Sequence, residues 1–239
     1  MKRYLVCGGT SGIGQSFVRS LSGKDCGLCL IARNEEKARQ LIKDLDFAEC
    51  LIVKADLNEA FQLAPLVEKI LLEGFIPDAV LYSAGIDLPM TVRKSDPVQA
   101  SMIMQVNFMS FAMLVRALLR RHGLKTALRI LAISSKNVTR PLSANAFYAA
   151  SKGALEAFVK STACEVSSTN FFINALRLGW VDTPMAWNSP AAKAHEDFEK
   201  WLREGMQARG LIPVADVVSK IYEYLDGKNS ASGIIEEFA

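Results

Sequence analysis

Short apolar stretches alternate with helix-spaced patterns along nearly the whole of this chain, and that rhythm constrains its fold more than any other feature. Tyr4 to Cys7, Leu28 to Ala32, Leu51 to Lys54, Ala79 to Ser83, Arg129 to Ile133 and Phe172 to Leu176 read as strands. Between them Ile13, Phe17 and Leu21 recur at helical spacing, as do Leu63, Val67 and Ile70, and Ser95-Asp96-Pro97 has the form of a helix start. Strands covered on both faces become continuous apolar runs, and parallel neighbours require a crossover that is usually a helix. The expected fold is therefore α/β. With 239 residues, half of them apolar, the chain has enough material for one large core. We expect a single doubly wound domain over residues 1–239, with a mostly parallel sheet of about seven strands and helices on both faces.

Composition excludes several classes. A net charge of +3, with no run of five or six like charges, argues against a nucleic-acid partner. Five cysteines do not suggest a disulfide framework, and the one C-x-x-C, Cys26 to Cys29, leads straight into an apolar run. Buried thiols are expected there, and no metal site. The apolar run at the N-terminus ends at Gly8-Gly9, too short for an export signal. Met102 to Leu119 is membrane-like, but it carries Gln105, Asn107, Ser110 and Arg116, which suits a helix buried in protein. The expectation is a soluble cytoplasmic protein with no membrane partner.

Two constellations carry chemistry. Tyr148 and Lys152 are four apart in a stretch rich in alanine, so both project from one helical face. A phenol with a pKa of about 10 is a poor acid-base group at neutral pH, and a neighbouring ammonium is expected to lower that pKa. Ser135, at the end of the preceding strand, has a hydroxyl suited to holding the same substrate oxygen. The second constellation follows the first strand: Cys7-Gly8-Gly9-Thr10-Ser11-Gly12-Ile13-Gly14, leading into an amphipathic helix. Glycines at a strand-to-helix turn let the backbone approach a pyrophosphate, which then lies at the positive end of the helix. At the end of the second strand an acidic residue would bind ribose hydroxyls, but this chain has Ala32-Arg33-Asn34. A guanidinium there suits a 2'-phosphate and so NADP rather than NAD, although a solvated arginine reads the same way. Asp56 is placed either to accept from an adenine amino group or to cap a helix starting near Glu59.

With these motifs in order, the chain resembles the short-chain dehydrogenase/reductase family in its short, single-domain branch, a Rossmann-type fold. Gly8, Gly12 and Gly14 fit the family's T-G-x-x-x-G-x-G, with Cys7 in place of threonine. Tyr82-Ser83-Ala84-Gly85 is similar to its N-N-A-G, with only Ala84 and Gly85 intact, and Asn107 falls at its helix asparagine. Ser135 stands thirteen residues before Tyr148, the family's separation, which makes Ser134 the weaker candidate. Asn174 to Met185 is similar to N-x-x-x-P-G-x-x-x-T, with Leu178 at the usual proline.

The resemblance implies hydride transfer between a nicotinamide and a carbonyl or alcohol carbon. Tyr148 would donate the proton, Ser135 orient the carbonyl, Lys152 hold the nicotinamide ribose, and Asn107 position a water. Gly8, Thr10, Ser11, Gly12, Ile13 and Gly14 would cradle the cofactor, with Arg33 and Asn34 at the adenosine ribose. Asp56 and Leu57 would meet the adenine, Ser83, Ala84 and Gly85 the pocket wall, and Gly179, Val181 and Thr183 the nicotinamide end. A homodimer or homotetramer follows from the same likeness, the tetramer less securely because the chain stops at Gly233 to Ala239 without V-D-G-G.

Residues 184–213 interrupt the rhythm and match the family's variable substrate lid. Met185, Trp187, His195, Phe198, Trp201 and Met206 are available to face a small-molecule carbonyl or alcohol, although aromatic residues at helical spacing more often pack together. A carrier-bound substrate is the alternative: the segment Arg120-Arg121-His122-Gly123, with Lys125, lies where the similar 3-oxoacyl-carrier-protein reductases keep basic residues for an acidic partner. These basic residues also suit a helix C-terminus by charge alone. A third reading, a cofactor-sensing regulator without catalysis, fits poorly with an intact Tyr148 and Lys152.

Overall fold

The computed structural model describes residues 1–121, 127–227 and 230–239. Seven strands, β1 (Lys2–Cys7), β2 (Cys26–Ala32), β3 (Glu49–Lys54), β4 (Ala79–Tyr82), β5 (Leu128–Ser135), β6 (Phe171–Leu178) and β7 (Ile235–Phe238), form one sheet ordered β3-β2-β1-β4-β5-β6-β7. Every pairing is parallel, so the expected mostly parallel sheet is wholly so. Five of the strands contain the runs read from sequence and extend them by one or two residues at an end, whereas β4 stops one residue short of Ser83. β7 is the seventh.

The helices are α1 (Gly12–Ser20), α2 (Glu35–Ile42), α3 (Ala60–Leu72), α4 (Pro97–Met104), a π-helical segment Gln105–Met109, α5 (Ser110–Arg121) and α6 (Ala146–Glu165). After β6 come the short α7 (Pro184–Trp187), α8 (Pro190–Ala194) and α9 (Phe198–Trp201), then α10 (Val214–Leu225). Asp96 caps α4 by accepting from the Val98 amide, and Pro97 occupies the first turn. Asp56 caps nothing: it accepts from the Asn58 amide in a local turn, and α3 starts at Ala60 behind Glu59 without a side-chain cap.

The side-chain alternation along each strand divides the core into two layers. On β1, Leu5 and Cys7 pack with Val67, Phe111 and Val159 on one face. Tyr4 and Val6 pack with Phe17, Leu41 and Ile221 on the other. Cys26 and Cys29 fall in opposite layers, which separates the two sulfurs of the C-x-x-C by the sheet itself. The helix Pro97–Arg121 is long and apolar enough to cross a bilayer, yet Phe111, Leu114, Val115 and Leu118 are fully buried in the core.

The chain crosses from one half of the sheet to the other between β1 and β4. Ligands of such sheets bind outside the carboxyl ends of the strands at this switch point. Register sets those ends level: Cys7 stands opposite both Ile31 and Tyr82, and Ser135 opposite Leu178. The glycine turn, the Ser83-Ala84-Gly85 loop, Ser135 and Gly179 thereby reach one edge.

Candidate active site

A cleft of about 540 Å³ opens along that edge. It is lined by Gly8, Thr10, Ser11, Gly12 and Ile13 from the first turn, Arg33 and Asn34 after β2, and Asp56 and Leu57 after β3. Ser83, Ala84 and Gly85, then Ser135, Tyr148, Lys152, Gly179, Val181 and Thr183, complete the anticipated set. Two anticipated residues stand behind the wall. Gly14 lies inside α1, where an added Cβ would fall 2.3 Å from the Gly8 carbonyl oxygen and 2.4 Å from Ser83 Oγ, so its role is close packing. Asn107 is fully buried in the π-helical segment.

The glycine turn is shaped by backbone. Gly8 has φ +83°, and a Cβ there would lie 2.5 Å from the Ala84 nitrogen, so neither conformation nor space admits a side chain. Ser83, where the resemblance expects asparagine, donates to the carbonyls of Cys7 (3.1 Å) and Gly8 (3.3 Å). Tyr82 replaces the other asparagine and is buried, its hydroxyl 2.5 Å from both the Val106 carbonyl and Ser110 Oγ. The two departures from N-N-A-G therefore retie β4 to the turn and to the π-helical segment.

Asn107 grips the loop beyond β4 with both ends of its amide. Its Oδ1 accepts from the Ile86 amide (2.8 Å), while Nδ2 donates to the Ile86 carbonyl (2.9 Å) and to Ser151 Oγ (3.0 Å). Ser151 in turn donates to the Tyr148 carbonyl (2.7 Å). A short chain of bonds thus joins the cleft wall to α6.

Lys152 is buried to 3% exposure and donates to the Ile133 carbonyl at 2.8 Å. Burial lowers its pKa to about 8, against which the nearby Glu156 carboxylate pulls upward. At neutral pH the charged form of the amine still predominates. Glu156, itself buried, is satisfied by Arg177 (2.6 and 3.0 Å) and by Ser134 Oγ (2.7 Å). Ser134 is thereby committed to Glu156, and Ser135 is left for the cleft.

One expectation fails here. The ammonium was expected to lower the Tyr148 pKa, but burial first and the Asp87 charge second push it up to about 12, with only a hydrogen bond from Ser135 opposing them. The Lys152 Nζ stands 5.9 Å from the Tyr148 ring centroid and spends a hydrogen bond on Ile133. Desolvation outweighs a charge at that range.

Of the lid residues, Met185 and Met206 line the cleft. The others pack on one another: Trp187 stands edge-on to Phe198, Phe198 and Trp201 are stacked, and His195 stacks on Trp201 with centroids 4.6 Å apart. Gln207, buried at the end of the lid, clamps Trp180 by accepting from its amide (2.8 Å) and donating to its carbonyl (3.0 Å). Of the basic set, Arg120 is exposed and Arg121 pairs with Glu68 at 3.3 Å, whereas His122, Gly123 and Lys125 lie outside the described residues.

Lys37, Asp87, Arg140 and Asn145 also line the cleft and were not anticipated. Lys37 lies one turn beyond Arg33 on α2, a spacing that the sequence displayed. Asp87 lies two residues beyond the Ala84-Gly85 pair, in a loop at a strand's carboxyl end, which was the available signal.

Comparison with known proteins agrees with this geometry. A family described as short chain dehydrogenase matches residues 2–194. The 3-oxoacyl-(acyl-carrier-protein) reductase of Escherichia coli is 28% identical over 184 residues, covering 77% of this chain and 75% of that protein. Among solved structures, 4-hydroxyisoleucine dehydrogenase complexed with NADH superposes with a TM-score of 0.88 at 21% identity, covering 100% of this chain and 97% of that one. A variant of actinorhodin polyketide ketoreductase with NADPH gives 0.85 at 20% identity, covering 100% and 95%.

Proposed function

Since the chain belongs to the short-chain dehydrogenase family, we propose that it is an NADP-dependent oxidoreductase interconverting a ketone or aldehyde with its alcohol, Tyr148 serving as acid and base. The observation that carries this reading is the convergence of Ser135, Tyr148 and Lys152 with the glycine turn in one cleft.

The cleft fits a dinucleotide. No side chain caps the first turn of α1 and no acidic residue lies in it, so its amides and the positive end of the helix suit a pyrophosphate. Arg33 is exposed at the end of β2 with Lys37 a turn beyond, two cations suited to a 2'-phosphate. When bound, the reduced nicotinamide supplies a hydride. Gly179, Val181 and Thr183 line the end of the cleft suited to its amide, and Lys152 its ribose.

The chain's own residues manage the proton. A phenol held near pKa 12 is neutral at pH 7, so the resident form of Tyr148 is the acid that reduction needs. Tyr148 Oη gives its proton to the carbonyl oxygen as negative charge develops there, and Ser135 Oγ donates a hydrogen bond to that oxygen. Lys152, charged at neutral pH, stabilises the tyrosinate left behind. Asn107 fixes the wall through Ile86 and, as the resemblance implies, positions the water that restores the proton.

A second reading, reduction of a carrier-bound 3-oxoacyl group, draws support from the Escherichia coli relative and from the exposed Arg120 at the end of α5. Arg120→Glu would then weaken turnover of a carrier-bound substrate but not of a free thioester.

The test of cofactor and reaction is a fluorescence titration with NADPH and NADH on wild type and Arg33→Ala, followed by a carbonyl panel. Tighter NADPH binding, a preference reduced roughly tenfold or more in the variant, and NADPH-dependent carbonyl loss support the proposal. Failure to bind either cofactor would refute it.

A further inference from the structure

A carboxylate stands beside the reacting groups, and the proposed proton transfer gives it no work. Asp87 lines both the main cleft and an adjoining pocket of about 370 Å³. It lies close enough to Tyr148 for its charge to be the largest electrostatic influence on the phenol after burial. Among the described residues it has no cationic partner in an ion pair. Among the described residues its side chain accepts only from Asn145, whose Nδ2 lies 3.0 Å from Oδ2 and 3.3 Å from Oδ1.

The position is built from both sides. Asn145 is buried at the N-cap of α6, and Ala144 before it holds φ +62°, a left-handed conformation that costs a residue with a Cβ about 1–2 kcal/mol. The Ala144 carbonyl accepts from the Met90 amide at 2.7 Å, joining the start of α6 to the loop that carries Asp87. On the other side both backbone groups of Ile86 are held by Asn107. A carboxylate fixed in this way keeps most of its acceptor sites. Partial burial without a cation also raises its pKa, a cost that a donor from substrate would relieve.

We propose that Asp87 is a specificity-determining group that accepts a hydrogen bond from a hydroxyl or ammonium group next to the substrate's reacting carbon. The adjoining pocket takes the rest of such a substrate. Leu88, Pro89, Pro184, Met185 and Pro190 line it, which suits an apolar chain. The substrate class is thus a hydroxy- or amino-substituted ketone, or the matching diol or amino alcohol, with an aliphatic tail. A 3-oxoacyl thioester presents oxygen acceptors on both sides of the position next to its reacting carbon, and it meets a carboxylate there without a donor. The inference rests on the carbonyl-reductase reading of the same cleft.

The experiment compares kcat/KM with NADPH for methyl butyl ketone, its hydroxymethyl counterpart and its aminomethyl counterpart, on wild type and Asp87→Asn. Because Asp87 also acts on Tyr148, the readout is the ratio between substrates for each protein. Wild type should favour a donor-bearing ketone roughly 10- to 100-fold over the plain one, the worth of a charged hydrogen bond. In Asp87→Asn that ratio should fall towards one for the ammonium substrate, because the charge is lost. A hydroxyl substrate should keep part of its advantage, since the variant amide still offers an acceptor, and this difference separates the two donors. A wild type that turns over all three equally, or a ratio unmoved in Asp87→Asn, overturns the role of Asp87 and leaves the reductase reading standing. No turnover of any of the three, nor of the wider carbonyl panel, overturns both.

Discussion

The Lys152 ammonium donates to the Ile133 carbonyl at 2.8 Å, fastening the helix that bears Tyr148 to the strand that ends in Ser135. The amine to which we assign a role in the chemistry is also a buried charge that costs stability.

Replacing it by Lys152→Met should abolish turnover, and it removes both the buried charge and the bond to Ile133. Burial holds the folded pKa at about 8 against 10.5. A lowered lysine pKa is a cost to the folded state, fully present below pH 8 and relieved as pH rises towards 10.5. Methionine removes that cost but leaves the Ile133 carbonyl without its donor, a loss of about 1–2 kcal/mol. At neutral pH the variant should therefore lie within roughly 2 kcal/mol of wild type, and the difference should shift in favour of wild type as pH rises over that window. Denaturant unfolding at neutral and alkaline pH reads this directly, and a stability difference that does not change between pH 8 and 10.5 contradicts it. Reduction by wild type should decline above pH 8 as Lys152 loses its proton.

Asn107 serves the cleft from behind its wall. Asn107→Ala leaves the half-buried Ile86 amide and carbonyl without their partner, a loss of roughly 1–3 kcal/mol for the two together. Turnover should fall too, since the same loop leads to Asp87. A stability change under about 0.5 kcal/mol, within the range of ordinary surface changes, would show that the grip on Ile86 carries no weight.

Ala144 carries strain that glycine would not. Ala144→Gly should raise stability by roughly 0.5–1 kcal/mol, because relief of the left-handed conformation exceeds the added freedom of the unfolded chain. Thermal unfolding checks this, and a lowered midpoint would mean that the alanine methyl contributes more by packing than its conformation costs.

Much of this molecule was legible in its sequence because the relevant physics is local. A glycine turn after a strand, a Tyr and Lys four apart on a helix, and apolar runs without alternation each declare themselves within a dozen residues. What stayed hidden depends on residues brought together from far apart. Asp87 and Asn145 are 58 positions apart, and their contact shapes the wall of the cleft. The Tyr148 pKa moves opposite to the expected direction because burial, which spacing does not report, outweighs Lys152. The lid aromatics could equally have faced substrate or one another, and the structure shows Phe198 and Trp201 stacked on each other.

The most direct test of the central claim is a single-turnover assay with Tyr148→Phe and wild type, both saturated with NADPH as verified by fluorescence, on a ketone that wild type reduces. The account predicts unchanged NADPH affinity within about twofold and a reduction rate lowered roughly 10²- to 10⁴-fold, the range for loss of a positioned general acid. A Tyr148→Phe protein that reduces the ketone at the wild-type rate would contradict the assignment of Tyr148, and with it the mechanism built on this cleft.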